Sequence, residues 1–294
     1  MLFLFTFEPA RGQTEPELAG LFASGRRYDH HIAWADLRHI LRIPSNRWLL
    51  GLAFVGPLAY GSRVWIARLF IAKVEAAGYS LEIATVTGNM LSLLFETGFY
   101  LAILGGYVGD RWQRHDPRGR AWLGMLVVWL AIPFQMAVFL LPLRDLTFPA
   151  EAGLAGLTGA VFWNILFNPW VSGTFLIALL AIALLASDTP TRTALYTEVN
   201  LPEHRGTVTG FITVAVGLGL ALGNWLSGLL LTYLGQFFPP PLNYAWALTL
   251  FQLWLLPAGW CYWRIAKHVA ADRTAMQQTL RERATVSGPE PPAA

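Results

Sequence analysis

The sequence predicts an all-α membrane protein with six transmembrane helices, and three observations carry the prediction. Of its 294 residues 55% are apolar and only 13% charged, where average soluble domains carry about 25% charge. Six apolar runs are long enough to cross a hydrocarbon core, which takes roughly 20 residues of helix. Lysines and arginines are confined almost entirely to alternate gaps between those runs. So little charge cannot cover a water-exposed surface, which disfavours a soluble enzyme and a disordered chain. The single cysteine, Cys261, excludes a disulfide scaffold. A net charge of +3 gives no case for nucleic acid as a partner.

The runs lie at 48–71, 83–108, 121–142, 172–199, 206–233 and 244–266. They are long and continuous, whereas barrel strands would alternate over about 10 residues. A seventh patch, Ala160 to Phe167, is too short to span and reads as an interfacial or re-entrant piece. Before the first run stand Arg11, Arg26, Arg27, Arg38, Arg42 and Arg47, and the second gap holds Arg111, Arg114, Arg118 and Arg120. The fourth gap has Arg205, and the end of the chain has Arg264, Lys267, Arg273, Arg281 and Arg283. The alternate gaps have only Lys73 and Arg144. With six spans every cluster falls on one side, and the positive-inside rule makes that side, with both termini, cytoplasmic. Trp48, Trp122, Trp163, Trp170, Trp246, Trp260 and Trp263 lie near run ends, where indole favours the interface.

Four regions follow. Residues 1–7, Met1 to Phe7, are apolar without a basic start and read as the stump of a preceding helix rather than a signal peptide. Residues 8–46 form a polar arm. Within it Trp34, Leu37, Ile40 and Leu41 recur at helical spacing opposite Asp36, Arg38 and His39, which predicts a short interfacial helix. Residues 47–266 are the bundle. Residues 267–294 are a tail, helical at first and of disordered composition from Ser287 to Ala294. The spans fall into two groups of three, 48–142 and 172–266, as in three-plus-three inverted-repeat transporters.

Charges inside the membrane cost at least about 2.5–3.5 kcal/mol and are functional by default. Glu96, Asp188 and Arg192 qualify, and Arg63 more loosely. At the rise of an α-helix, Glu96 and Asp188 lie about 20 Å and about 18 Å from their helix ends, near the midplane. Thr85, Asn89, Ser92, Glu96 and Tyr100 share one helical face, which lines either a cavity or a helix seam. Asp188 and Arg192 stand i,i+4 with the acid first, the favourable order for a pair, and Pro190 lies between them. The pair is either a site or a self-neutralising structural element. Dehydration at the midplane favours the neutral form of a carboxyl, so Glu96 is the candidate for proton coupling, with Arg192 as the cation expected to oppose it. In the fifth run Ala215, Gly219, Gly223 and Ser227 make a small-residue stripe for close helix approach.

Two loops carry a resemblance. Gly106-Tyr-Val-Gly-Asp110-Arg111-Trp-Gln-Arg114-His115 follows the second run and resembles the G-x-x-x-D-R-x-G-R-R signature of the major facilitator superfamily, with Gln113 in place of its glycine. Pro202-Glu203-His-Arg205-Gly206, before the fifth run, is similar to that family's P-E-x-R-G junction. The resemblance implies the C-terminal six-helix half of a twelve-helix transporter, the stump being the end of helix six. Glu8-Pro9-Ala-Arg11-Gly12 is similar to a segment of spinster-like members. Gly106, Asp110, Arg111, Arg114, Glu203, Arg205 and Gly206 would then form a cytoplasmic gate. Asp110 would meet a helix N-terminus of the opposite half, and the arginines would bridge carboxylates. The first and fourth spans, bearing Arg63 and Asp188 with Arg192, would line the central cavity. The expected function is secondary transport of a small or amphiphilic solute by alternating access, with an N-terminal half or a second copy as partner. No cofactor or metal is expected, and since nothing resembles an ATP-binding loop the energy would come from an ion or solute gradient. The alternatives are a non-transporting accessory or receptor subunit and a membrane-embedded enzyme. All six histidines fall outside the spans or at their edges, with no Ser/His/Asp set, which disfavours the enzyme.

Overall fold

In a computed structural model, residues 12–25, 28, 30, 32–150 and 153–286 are described. The stump at 1–7, the spinster-like segment up to Arg11, and the tail from Ser287 lie outside them. The described chain is helical, and five of its helices are long and apolar enough to cross a membrane: Pro44–Ala76, Leu81–Gln113, Gly119–Leu140, Pro169–Glu198 and Arg205–Leu234. They match the first five expected runs with ends shifted by up to five residues. The sixth expected run is helical from Leu242 onward but is not among those five. Asn243, Tyr244, Trp246, Gln252, Trp254, Trp260 and Trp263 dilute its aliphatic content.

The elements are, in order, α1 (Ala19–Ala23), α2 (Trp34–Arg42), α3 (Pro44–Gly61), α4 (Ile66–Ala76), α5 (Leu81–Phe95), α6 (Ala102–Gln113), α7 (Gly119–Leu140), α8 (Leu154–Phe167), α9 (Pro169–Glu198), α10 (Arg205–Leu234), α11 (Leu242–Phe251) and α12 (Leu255–Val286). Helix α2 is the short amphipathic helix expected in the arm, and α8 contains the short apolar patch. The starts are chemically specified. Pro44 and Pro169 occupy first helical turns, where no backbone donor is lost. Asn168 caps α9 by accepting from the amides of Trp170 and Val171 at 3.0 and 3.3 Å. Its amide nitrogen also donates to the carbonyls of Arg144 and Asp145, both at 2.8 Å, and so ties down the loop after α7.

Three of the long helical runs change geometry partway. Tight 3₁₀ segments, Ser62–Trp65, Thr97–Leu101 and Gln252–Trp254, join α3 to α4, α5 to α6 and α11 to α12. The apolar core is divided at the same level. One cluster gathers Leu69, Phe70, Phe95, Phe139, Val161 and Leu248. The other gathers Leu49, Leu52, Val128, Leu185, Tyr262 and Ile265. Polar residues Tyr60, Arg63, Glu96, Gln135 and Gln252 occupy the sequence positions between the two.

Packing follows a definite pattern. Helix α3 lies against α10 and α12, α9 lies against α7 and against α6 with its preceding 3₁₀ turn, and α4 lies on α5. The small-residue stripe of α10 is what admits α3: a methyl group on Gly219 or Gly223 would collide with the backbone carbonyl of Phe54 or Leu58. Ser227, the last of the stripe, accepts from the Trp65 indole N–H at 3.2 Å. The second and fifth spans are the least buried of the five.

Candidate functional site

A cavity of about 430 Å³ opens between α3, α9, α10 and the break between α5 and α6. Pro57, Phe99, Ile182, Leu185, Val216 and Leu220 make most of its wall apolar; Tyr60, Arg63, Glu96 and Arg192 are its polar side. Both members of the first ion pair sit where their spans change geometry. Arg63 lies within the 3₁₀ segment of the first span, and Glu96 is the last residue before that of the second. The Arg63 guanidinium donates to the Glu96 carboxylate. The cation paired with Glu96 is thus Arg63, from the break before α4, which packs on α5, while Arg192 lines the same cavity without an ion pair to Glu96.

Asp188 and Arg192 form the expected i,i+4 pair at 3.2 Å. Asp188 is buried behind the cavity wall, and Arg192 reaches the cavity itself. A third member was not foreseen. The Tyr262 hydroxyl, fully buried on α12, donates to Asp188. Tyr60 stands between the two pairs, with the Arg63 guanidinium 5.8 Å from its ring centre. A charge this deep is tolerable only when paired and hydrogen-bonded. Here each carboxylate has a guanidinium, and Asp188 has a hydroxyl besides.

Asn89 is not drawn into this cluster. Its amide donates to the Thr85 carbonyl at 2.7 Å, and Thr85 and Ser92 likewise bond to carbonyls of their own helix. Of the polar stripe on the second span only Glu96 reaches the cavity; Tyr100 is 78% exposed, so the stripe lies on an open face of the chain.

At the ends of the spans, the first motif loop is held by a residue that sequence reading counted only as positive charge. Arg120, on the first turn of α7, bridges Asp110 at 2.6 Å and Glu198 at the end of α9. Gln113 joins them, donating to Glu198 at 3.1 Å and accepting from the Arg120 amide at 3.2 Å. Arg111 and Arg114 are exposed and form no ion pair among the described residues. Gly106 sits where an added methyl would touch Pro190 of α9.

The second motif ties three segments together. Glu203 accepts from Arg283 of α12 and from the Tyr28 hydroxyl at 2.8 Å, while Arg205 pairs with Glu15 at 2.7 Å. Burial opposes the Glu203 charge, but the hydrogen bonds from Arg283 and Tyr28 outweigh it and hold the carboxyl below its usual range. Burial, then Glu203, pushes the Tyr28 phenol up to about 12. His204 is buried, 3.9 Å from Asp36 and 4.0 Å from Glu203, with its Nδ1 lacking a partner; burial keeps it below the ordinary histidine value. Beneath, Asn46 and Asn200 exchange amide hydrogen bonds at 2.7 and 2.9 Å. A methyl group added at Gly206 would face open space. Arm, junction and tail thus share one small core of Leu18, Leu21, Tyr28, Leu201, Met276 and Leu280.

No family model and no curated protein matches this sequence. Among solved structures the chain is similar to the crystal structure of a bacterial homolog of the human lysosomal transporter Spinster, in an inward-facing and unoccupied conformation. The two share 20% identity with a TM-score of 0.53, over 92% of this chain and 56% of that one. The likeness shows the fold alone: this chain folds as part of that structure does, and it spans little more than half of that structure's length.

Proposed function

We propose that the chain is the C-terminal half of a secondary active transporter and moves a small or amphiphilic solute by alternating access. The observation that carries this reading is the cavity of about 430 Å³ with ion pairs Arg63–Glu96 and Asp188–Arg192 at the level where the spans break. A largely apolar wall with a few convergent charges is the build of a ligand site, and a midplane position is the one transporter sites occupy.

Helix pairing supports the three-plus-three repeat. The first span packs on the fifth and sixth, and the fourth packs on the second and third. Exchanging the first with the fourth, the second with the fifth, and the third with the sixth maps one set onto the other. On this reading residues 8–46 are the linker, 47–266 the bundle and 267–294 the tail. Both termini lie in the cytoplasm of a cell whose inner membrane holds the bundle. The Asp110–Arg120–Glu198 bridge and the Glu203–Arg283–Tyr28 knot then close the cytoplasmic side. The open polar face of the second span needs a cover, since lipid satisfies no hydrogen bonds. An N-terminal half or a second copy supplies it. The role is that of a carrier, not an enzyme.

Glu96 is the proposed proton site, released from Arg63 in one state and protonated there. The test uses vesicles carrying the chain with its partner half and a dansyl-labelled alkylamine as the transported probe. Glu96→Gln abolishes pH-gradient-driven accumulation and leaves probe-for-probe exchange largely intact. Unchanged accumulation in that variant would refute the proton role. Absence of any cavity-dependent flux in the wild-type assembly, with Leu220→Trp blocking nothing, would refute transport through this cavity.

A further inference from the structure

The rim of the bundle near the start of the first span carries cations that the transport site does not use. The Arg264 guanidinium lies 4.9 Å from the ring centre of Trp48 and 5.8 Å from that of Trp260. The two indoles meet edge-on at 4.8 Å. One turn further along α12, the Lys267 ammonium stands 3.5 Å over the Trp263 ring. Arg264 makes no hydrogen bond and neither cation makes an ion pair among the described residues, and the Arg264 Nε is buried without an acceptor. Stacking alone holds the two side chains in place. They are pre-positioned cations whose counter-charge is not supplied by the described residues.

The same face of α12, continued by the 3₁₀ segment before it, runs away from the rim as an exposed apolar track. Leu253 is 44% exposed, Leu256 48% and Trp260 45%. From Leu253 to Lys267 the helix rises about 21 Å, enough for the headgroup region and most of one hydrocarbon leaflet, half of a core about 30 Å thick. The order is apolar, aromatic, cationic, which is the order of acyl chain, interface and phosphate in a phospholipid.

We propose that this face of α12, beside the start of α3, binds one anionic phospholipid, its phosphate on Arg264 and Lys267 and its acyl chain along Trp260, Leu256 and Leu253. Charge complementarity names the occupant. A zwitterionic lipid brings its own cation to the rim, whereas an anionic one leaves the two unpaired cations a net partner. The inference depends on membrane placement and not on transport.

The test is native mass spectrometry of the purified full chain, offered phosphatidylglycerol and phosphatidylcholine together. Two basic residues at a membrane surface predict a preference for the anionic lipid of about 30-fold. Arg264→Ala with Lys267→Ala lowers it to about threefold or less on the same footing. Arg144→Ala, at a stacked arginine 4.8 Å from Trp170 in the loop region after α7, leaves it unchanged. Should the alanine pair fail to fold, Arg264→Gln with Lys267→Gln tests the same charges, and rising salt must weaken the wild-type preference. Equal binding of both lipids, or a preference that survives loss of both cations, overturns the proposal. Displacement of the lipid by millimolar inorganic phosphate also overturns it, because the site would then be one for a free anion.

Discussion

Replacing Arg283 with alanine strands the Glu203 carboxylate, and the fold sets the size of the effect. Glu203 keeps only 2% of its side-chain surface, and Arg283 keeps 28%. After the substitution the carboxylate retains a neutral donor, Tyr28 at 2.8 Å, and no guanidinium. Removing one partner of a buried pair costs about 3–5 kcal/mol. The partial exposure of Arg283 points to the lower end, about 3 kcal/mol, on the same scale. The loss falls locally on the core of Leu18, Leu21, Tyr28, Leu201, Met276 and Leu280 that joins arm to tail. It therefore reads out as opening of α1, not as unfolding of the bundle. Amide exchange in Ala19–Ala23 accelerates by about 100-fold, the rate equivalent of that energy. Adding Glu203→Gln removes the stranded charge and recovers most of the protection, since a neutral amide can still accept from Tyr28. Unchanged exchange in the single variant would refute the argument. So would a double variant as open as the single one, because the loss would then lie in the packing of the arginine stem.

The same junction is acid-sensitive. His204 titrates below its ordinary 6.5 in the closed junction because it is buried, so the opened junction binds the proton more tightly. Closure is fully present above about pH 6.5 and is lost as pH falls through the lower, closed-state value. Glu203, also depressed, adds a further loss at more acidic pH. Exchange in α1, corrected for its intrinsic pH dependence, rises between pH ~7 and ~5, and His204→Gln flattens that limb; a flat wild-type profile contradicts the assignment. At the α3–α10 contact, Gly223→Ala forces a methyl group into the Leu58 carbonyl and lowers stability by about 1–3 kcal/mol. Gly217→Ala, facing open space, is neutral or slightly stabilising; thermal unfolding in detergent distinguishes them, and equal shifts would disprove the close contact.

Much of the fold is written in local composition. Apolar run length and alternate basic gaps locate the helices within a few residues, and four-residue spacing reveals both the α10 stripe and the Asp188–Arg192 pair. What escaped is tertiary. Arg63 and Glu96 stand 33 residues apart on different spans, and nothing local says that α4 lies against α5. Tyr262 sits in a run crowded with tryptophans, where one buried hydroxyl has no distinguishing pattern. Arg120 was hidden by abundance, as one of four arginines in a gap where topology alone explains them. Asn89 shows the opposite failure. Helical periodicity correctly puts it on the face of Glu96, but that face leaves the cavity at the break before Thr97, and a regular helix does not anticipate a break.

The breaks themselves carry a mechanical consequence. A continuous helix transmits a push at one end to the other, as a rod does. Three of the long runs here are instead pairs of stiff half-rods meeting at Ser62–Trp65, Thr97–Leu101 and Gln252–Trp254, and the apolar core is parted at the same level. The half-rods of these runs can bend at that level, while α7, α9 and α10 pass through it unbroken. The hinge line runs past Arg63 and Glu96, so bending at either run changes the distance between the two charges. That ion pair is the pin through the hinge: losing it removes the charge contact that ties the first run to the second at this level.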